Sequence, residues 1–429
     1  MARIIFKEDG MPKPRIALLW DESFGWALMA YKSFNGLGLD TGIVTSEDIR
    51  GGILGSYDII AVPGGWASDK TLRLGREGAD AVRAFVRGGG SYLGLCGGAG
   101  LALDVAGGLA LTHASRVPTA HRVPSFSGEI VLRPENSYHP IWKGIRKPYT
   151  FHAWWPGQFH LGAGSGITVV ARYERPGPDL CLADLPAGDV AKYGQGWEGW
   201  EDAYGINLDP ERLAGEPAII ETEFGSGKVF LSYLHLETPG SKKGNSALVN
   251  LVGYLAPEPK GAMAGKGAAS GIYNAYPISG EAVAAAAAMM NAAREFVEFG
   301  ERNFLWHWRN SWVLQWRRGV RGVEYSMLYG MVGEIYANLK MLNACPDENV
   351  SDKVVAARGR VLKFFEDAKG LLMKERFALM NGSMSTIKTG DAEVAKERER
   401  LFSGGKRLGG EFKEILDLLD EIVLATLRL

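Results

Sequence analysis

Cysteine is scarce in this chain: Cys96, Cys181 and Cys345 are the only three among 429 residues. The count is odd and no pair has Cys-x-x-Cys spacing, so neither a disulfide framework nor a structural zinc site is expected. Histidine is sparse as well, at seven. His113, His121, His139, His152 and His160 show neither His-x-His nor His-Glu-x-x-His spacing, and no metal and no cofactor is expected from them. A surplus of one charge is also missing, since 48 Lys+Arg face 49 Asp+Glu. A nucleic-acid partner is therefore not expected. Long apolar runs are absent too. The best candidate, Ser91–Leu111, is interrupted by glycines and by Asp104, and reads as strand, turn and helix rather than as a transmembrane segment. The opening MARIIFKEDGMPKP is charged and lacks the apolar centre of a secretion signal, so a cytoplasmic setting is expected.

What the chain has in excess is glycine. Its 57 glycines are about 13% of the residues, against an average near 7%. With 46% hydrophobic residues and 12 Trp, the chain has ample apolar surface for a core. The glycines therefore belong to tight turns and close backbone approaches in a folded protein.

Short apolar runs alternate with helical patterns over residues 15–110. RIALLW (Arg15–Trp20), GIVTS (Gly42–Ser46), YDIIAVPGG (Tyr57–Gly65) and GGGSYLGLC (Gly88–Cys96) have the length and character of buried strands. Helices are expected at Gly25–Gly36 and Asp69–Arg87, the second with Leu72, Ala79, Val82, Phe85 and Val86 on one face. This rhythm predicts an α/β fold with a doubly wound, mainly parallel sheet. Ala218–Phe224 and Lys228–His235 flank a Gly-Ser-Gly turn and read as a hairpin. Residues 258–280, rich in Ala, Gly, Pro and Ser, read as a linker between a domain at 1–257 and an all-α helical bundle at 281–429. One long helix is expected to carry Trp308, Trp312 and Trp316 as a stripe. Others are expected at Gly322–Leu342, Ser351–Met380 and Asp391–Leu429.

Chemistry concentrates at Cys96. Gly94-Leu95-Cys96-Gly97-Gly98 lies between a strand and a helix, the form of a nucleophile elbow, where small neighbours permit a strained turn. The helix start favours a thiolate and offers N–H groups to an oxyanion. Further on, His235-Leu236-Glu237 ends a strand, and alternate residues of an extended segment share a face. Glu237 is thereby placed to orient His235, and His235 to take the Cys96 proton. Each feature alone has a plain structural explanation; the combination is more specific.

The Gly-x-Cys-x-Gly elbow, the upstream Pro63-Gly64-Gly65 and the downstream His-x-Glu resemble the class I glutamine amidotransferase-like superfamily. YDIIAVPGG, GGGSYLGLCGGAGLAL and EFGSGKVFLSYLHLETP are most similar to its biotin-protein ligase N-terminal domain group, over roughly residues 14–257. The resemblance implies a flavodoxin-like sandwich, Cys96, His235 and Glu237 as a catalytic triad, and Gly65 and Gly97 as oxyanion donors. The expected activity is that of a thiol-dependent amidase or amidotransferase-like hydrolase working through a thioester. Gly64, Gly98, Glu22 and Trp155 are the expected substrate contacts, and the expected partner is a small amide or acyl substrate. Glutamine users of the superfamily carry Gln four residues after the nucleophile, where this chain has Gly100. That departure keeps a second reading in play: a non-catalytic binding or regulatory module whose helical domain recruits a protein partner. Self-association into a homo-oligomer is left open by the sequence.

Overall fold

The computed structural model describes residues 13–256 and 275–428, apart from 163, 165, 195, 383, 386, 387, 405 and 406. The chain divides into two compact units, Met1–Ala269 and Ser270–Leu429. Most of the expected linker, residues 258–274, lies outside the described residues. Its last residues belong to the second unit, because Tyr276–Pro277 pairs with Ala344–Cys345.

The first unit opens with β1 (Ile16–Leu19), α1 (Gly25–Gly36), β2 (Thr41–Val44), α2 (Ser46–Arg50), β3 (Ile59–Val62), α3 (Ala67–Arg87), β4 (Ser91–Leu95) and α4 (Gly97–Leu101). Every residue of β1, β3 and β4 is buried, as expected for strands covered on both faces. Alternation along these strands sends Ile16, Leu18, Ile59, Ala61 and Leu93 into one core and Ala17, Leu19, Ile60, Val62 and Tyr92 into the other.

A set of shorter strands follows: β5 (Ser115–Arg116), β6 (Phe126–Pro134), β7 (Tyr149–Trp154), β8 (Phe159–His160), β9 (Thr168–Pro176), β10 (Cys181–Leu182) and β11 (Leu185–Pro186). After α5 (Ala187–Lys192) and α6 (Glu198–Tyr204) come β12 (Pro217–Phe224), β13 (Gly227–Ser232) and α7 (Lys242–Leu255). The main sheet runs β11-β10-β6-β9-β12-β13-β4-β3-β1-β2, with β7 on β6. It is mixed rather than mainly parallel. The run from β13 through β4, β3 and β1 to β2 is parallel, whereas β12, β9 and β6 pair antiparallel. The reason lies in the connections. Helical crossovers join the early strands, but a two-residue turn with Gly225 at φ 65 joins β12 to β13.

One expected helix face is shifted. Gly75 (φ 64, ψ −175) breaks α3 into two segments, so the pattern does not carry through it. Leu72 is 74% exposed, while Lys70 and Leu74 are buried in its place.

The second unit contains α8 (Gly280–Arg302), α9 (Gly322–Met341), α10 (Val350–Met380), α11 (Ala392–Phe402) and α12 (Gly410–Leu427). Two expectations fail here. The tryptophan stripe is no helix: Phe304 at φ 56 ends α8, and Trp306–Trp308 pairs antiparallel with Leu314–Trp316. Aromatic residues favour strands, and the Asn310 side chain accepts from the N–H groups of Trp312 and Val313 to close the turn. Trp306 stacks on the open side of Gly300 and donates to the Val297 carbonyl at 2.9 Å. The last expected helix is two, broken where Ser403 and Gly410 take positive φ. Among the described residues, no helix is long and apolar enough to cross a membrane.

Candidate active site

The site is built at the carboxyl end of the parallel run, where ligands bind in open α/β sheets. β4 lies between β3 and β13, and Cys96 follows directly. The Cys96 backbone sits at φ 50 and ψ −105, a conformation that costs an L-residue free energy. Two hydrogen bonds hold it there: Cys96 N donates to Ser232 O at 2.7 Å, and Gly100 N donates to Cys96 O at 3.0 Å. The following helix has only five residues. Its dipole is accordingly weak.

The glycines around the turn are there for close approach. A Cβ on Gly97 would come within 1.8 Å of Gly65 O, and one on Gly98 within 1.8 Å of Val62 O. The structure thus brings Gly65 and Gly97 together. Among the described residues, neither N–H donates to a protein acceptor. Gly98 is buried against β3, so packing accounts for it. Gly64 lies against the Trp26 ring, whose Cγ would be 2.9 Å from an added Cβ.

His235 and Glu237 do meet, but on a turn beyond the end of β13 rather than on one face of the strand. Thr238 closes this turn, its N–H and hydroxyl both donating to His235 O. The segment is tied down by His235 N to His152 O at 2.9 Å and by Trp154 Nε1 to Thr238 Oγ1 at 3.1 Å. His235 Nδ1 is 2.7 Å from Glu237 Oε1, and both side chains are fully buried. Nε2 has no partner at full hydrogen-bond geometry, yet Cys96 is near enough to act on the ring through charge and a loose hydrogen bond. Burial alone would lower the imidazole pKa. The Glu237 carboxylate and Cys96 outweigh it and raise His235 to about 10. The ring of Trp26 covers the imidazole, with centroids 4.8 Å apart.

A raised pKa means that the protonated ring stabilises the fold. The gain is complete below the unfolded value near 6.5 and is lost as pH rises through about 10. We therefore expect the His235 imidazole to titrate near pH 10 by NMR, and Cys96→Ala to lower that midpoint by removing two of its supports. A midpoint indifferent to Cys96 would show that the sulfur does not reach the ring.

Glu22 and Trp155 also lie at the elbow. Glu22 (φ 54) turns its carbonyl toward Gly65, where an added Cβ would be 2.3 Å away. Trp155 (φ 48) is half-buried and follows Trp154, whose carbonyl is 3.9 Å from Cys96 Sγ. Four of the non-glycine residues with positive φ, namely Glu22, Phe24, Cys96 and Trp155, therefore belong to segments that build this site.

Two site residues were missed by sequence reasoning. Lys70 is fully buried beneath the elbow. Its ammonium donates to Asp21 O at 3.1 Å and to Ser23 Oγ, and lies 3.3 Å from where a Gly65 Cβ would stand. A lysine four residues before Leu74 on a buried helix face was the available signal. Arg122, whose Nη1 donates to Pro156 O at 3.1 Å, comes from an irregular stretch with no such signal.

No protein-family profile matches this chain. No curated protein matches it significantly. Among solved structures, it is similar to PurLQS from Thermotoga maritima at 19% identity and a TM-score of 0.39, over 57% of this chain and 100% of that one. It is similar to a protein described as a GMP synthase subunit from Thermoplasma acidophilum at 14% identity and a TM-score of 0.35, over 57% of this chain and 94% of that one. A β-galactosidase from Bacillus circulans sp. alkalophilus shares 16% identity at a TM-score of 0.34, over 57% of this chain and 32% of that one. Likeness at this level assigns neither a family nor a reaction.

Proposed function

We propose that the first unit is a thiol-dependent amidase or amidotransferase-like hydrolase, of the class I glutamine amidotransferase-like kind and most similar to the biotin-protein ligase N-terminal group. The observation that carries this reading is a left-handed, half-buried Cys96 beside a fully buried His235–Glu237 pair bonded at 2.7 Å. In it, the Cys96 proton already rests on His235 Nε2 before substrate arrives, in keeping with the raised imidazole pKa, and the thiolate sulfur bonds to the acyl carbon. The N–H groups of Gly65 and Gly97 hold the resulting oxyanion. The C–N bond then breaks, His235 gives its proton to the departing amine, and a thioester remains. Water, deprotonated by the same imidazole, releases the acid. Glu237 keeps the ring oriented and its charge compensated throughout.

Gly100 leaves the substrate open. A Cβ there would meet only Ala67 Cβ at 3.7 Å, so sterics at Cβ do not exclude a side chain from the position. The substrate is accordingly framed as an amide or acyl compound, not as glutamine.

Alkylation of the native protein tests the reading. Iodoacetamide should modify Cys96 at least about tenfold faster than Cys181 and Cys345 at neutral pH, as read by peptide mass spectrometry. Both others are buried, and burial raises the Cys345 thiol pKa further from neutrality. Hydroxylamine should trap the acyl group when a panel of amides is offered. Equal rates at all three cysteines would remove the activated thiol and favour the binding-module reading.

A further inference from the structure

The antiparallel half of the first unit carries a cleft that the thiol chemistry does not use. Alternation places Glu129 and Val131 of β6, Thr150 and His152 of β7, and Arg175 of β9 on one face of the sheet. Register makes them neighbours: Val131 stands between Thr150 and Arg175, and Glu129 stands opposite His152. Gly240, Ser241, Lys242 and Lys243, at the turn into α7, wall the same space. The cleft encloses about 410 Å³.

Its charge is one-sided. Among the described residues that line it, Arg175, Lys242 and Lys243 face a single carboxylate, Glu129. The Lys243 ammonium is anchored on Pro148 O. Among the described residues, the Arg175 and Lys242 side chains have neither a carboxylate nor a hydrogen-bond acceptor. Other cations of this unit are paired: Arg83 with Asp80, Arg172 with Glu135 and Arg212 with Glu201. Like charges gathered around one hollow repel one another unless an anion joins them.

Arg175 rises from the sheet, whereas both lysines come from the α7 side, so the cations do not form one planar fork. A phosphate group suits such a set. It carries nearly two negative charges at neutral pH and acceptor oxygens on several sides. A guanidinium takes two of those oxygens, and ammonium groups act on the rest as point charges. A carboxylate, planar and singly charged, would leave most of the positive charge unanswered. Ser241 Oγ accepts from Gly244 N at 3.3 Å, which leaves its O–H to donate, and Thr150 adds a second hydroxyl. Val131, Pro148 and Pro178 offer an apolar wall to an organic remainder.

We propose that this cleft is a phosphate-binding site, with Arg175, Lys242 and Lys243 as its cations. The site goes beyond the thiol-hydrolase reading and does not depend on it. Its walls nonetheless adjoin the catalytic turn: His152 O accepts from His235 N at 2.9 Å, and Ser241 N donates to Thr238 O at 3.1 Å. An occupant therefore rests on the segments that hold His235 in place.

Isothermal titration of the full-length protein with phenyl phosphate, inorganic phosphate and phenol, at fixed ionic strength, tests the site. Phenyl phosphate should bind saturably with a Kd below about 1 mM, and phenol should not bind. Phenyl phosphate binding more tightly than inorganic phosphate identifies an ester as the ligand; equal affinities identify free phosphate and keep the site. Arg175→Gln and Lys242→Gln should each weaken binding at least about fivefold, and Arg175→Lys should weaken it less than Arg175→Gln. Arg76→Gln removes the same charge from an exposed face of α3 and should leave the affinity within about twofold. Arg175 and Lys242 are exposed, so their variants should fold, and melts without ligand check that they do. Absence of saturable phosphate binding up to about 10 mM overturns the site. So does phenol binding as tightly as phenyl phosphate, or an affinity that responds to Arg175 and Lys242 no more than to Arg76.

Discussion

Alanine at position 96 is expected to abolish amide turnover, with a loss of about 10⁴-fold or more in kcat. Cys96 is the sulfur that His235 faces, and the other two cysteines are buried. His235→Ala should cost nearly as much, and the double variant little more than either single one, because nucleophile and base act as one unit. Glu237→Gln should cost less, about 10²- to 10⁴-fold, since amide in place of carboxylate keeps a side chain beside Nδ1 but removes the charge that sustains the imidazolium. Steady-state rates on whichever amide turns over, combined with thermal melts, check this order. Cys96→Ala should stay folded at neutral pH but melt somewhat below the parent, because the lowered His235 midpoint gives up part of the stability the protonated ring supplies. Retained turnover in folded Cys96→Ala would refute the covalent route.

Gly98→Ala should be strongly destabilising, as should Gly97→Ala, whose added Cβ meets backbone at the same distance. At Gly98 the new Cβ would meet Val62 O at 1.8 Å, and both atoms are fixed by backbone. Relief requires β3 and the β4–α4 turn to part, an overpacking that costs about 3 kcal/mol. In a unit of this size that lowers Tm by roughly 6–12 °C. Gly100→Ala is the control. Its Cβ meets nothing closer than 3.7 Å, and alanine is the better helix former by about 0.5–1 kcal/mol. Calorimetry should therefore place Gly100→Ala at or above the parent and Gly98→Ala well below it. Equal melts would mean that the β3–α4 approach is looser than the structure shows.

Legibility in the sequence followed the range of the interactions. IALL, IIAV and SYLGL announce buried strands because every residue is apolar or small, and glycines on both sides of Cys96 announce a turn that needs them. The antiparallel half was harder to place. Its strands pair through β-bulges, as between β12 and β9, and hydropathy says nothing about partner choice. The pairing of His235 with Glu237 was legible from spacing, though the reason was not: a turn closed by Thr238 unites them. In the second unit, helix propensity predicted one element where Trp306 and Trp316 pair across a hairpin. Arg122 reaches the site through a contact with Pro156, 34 residues away, which no local pattern encodes.

The left-handed backbone at Cys96 has an engineering consequence. Glycine would hold φ 50 at lower energy, as it would the turns at Glu22, Phe24 and Trp155. The chain's own residues at its most reactive corner are thus not the ones that heat resistance alone would choose. A library sorted only for survival at high temperature would drift toward glycine at position 96, and its hardiest members would be inert toward thiol reagents. Directed evolution of this scaffold therefore has to score the sulfur and the melting point separately.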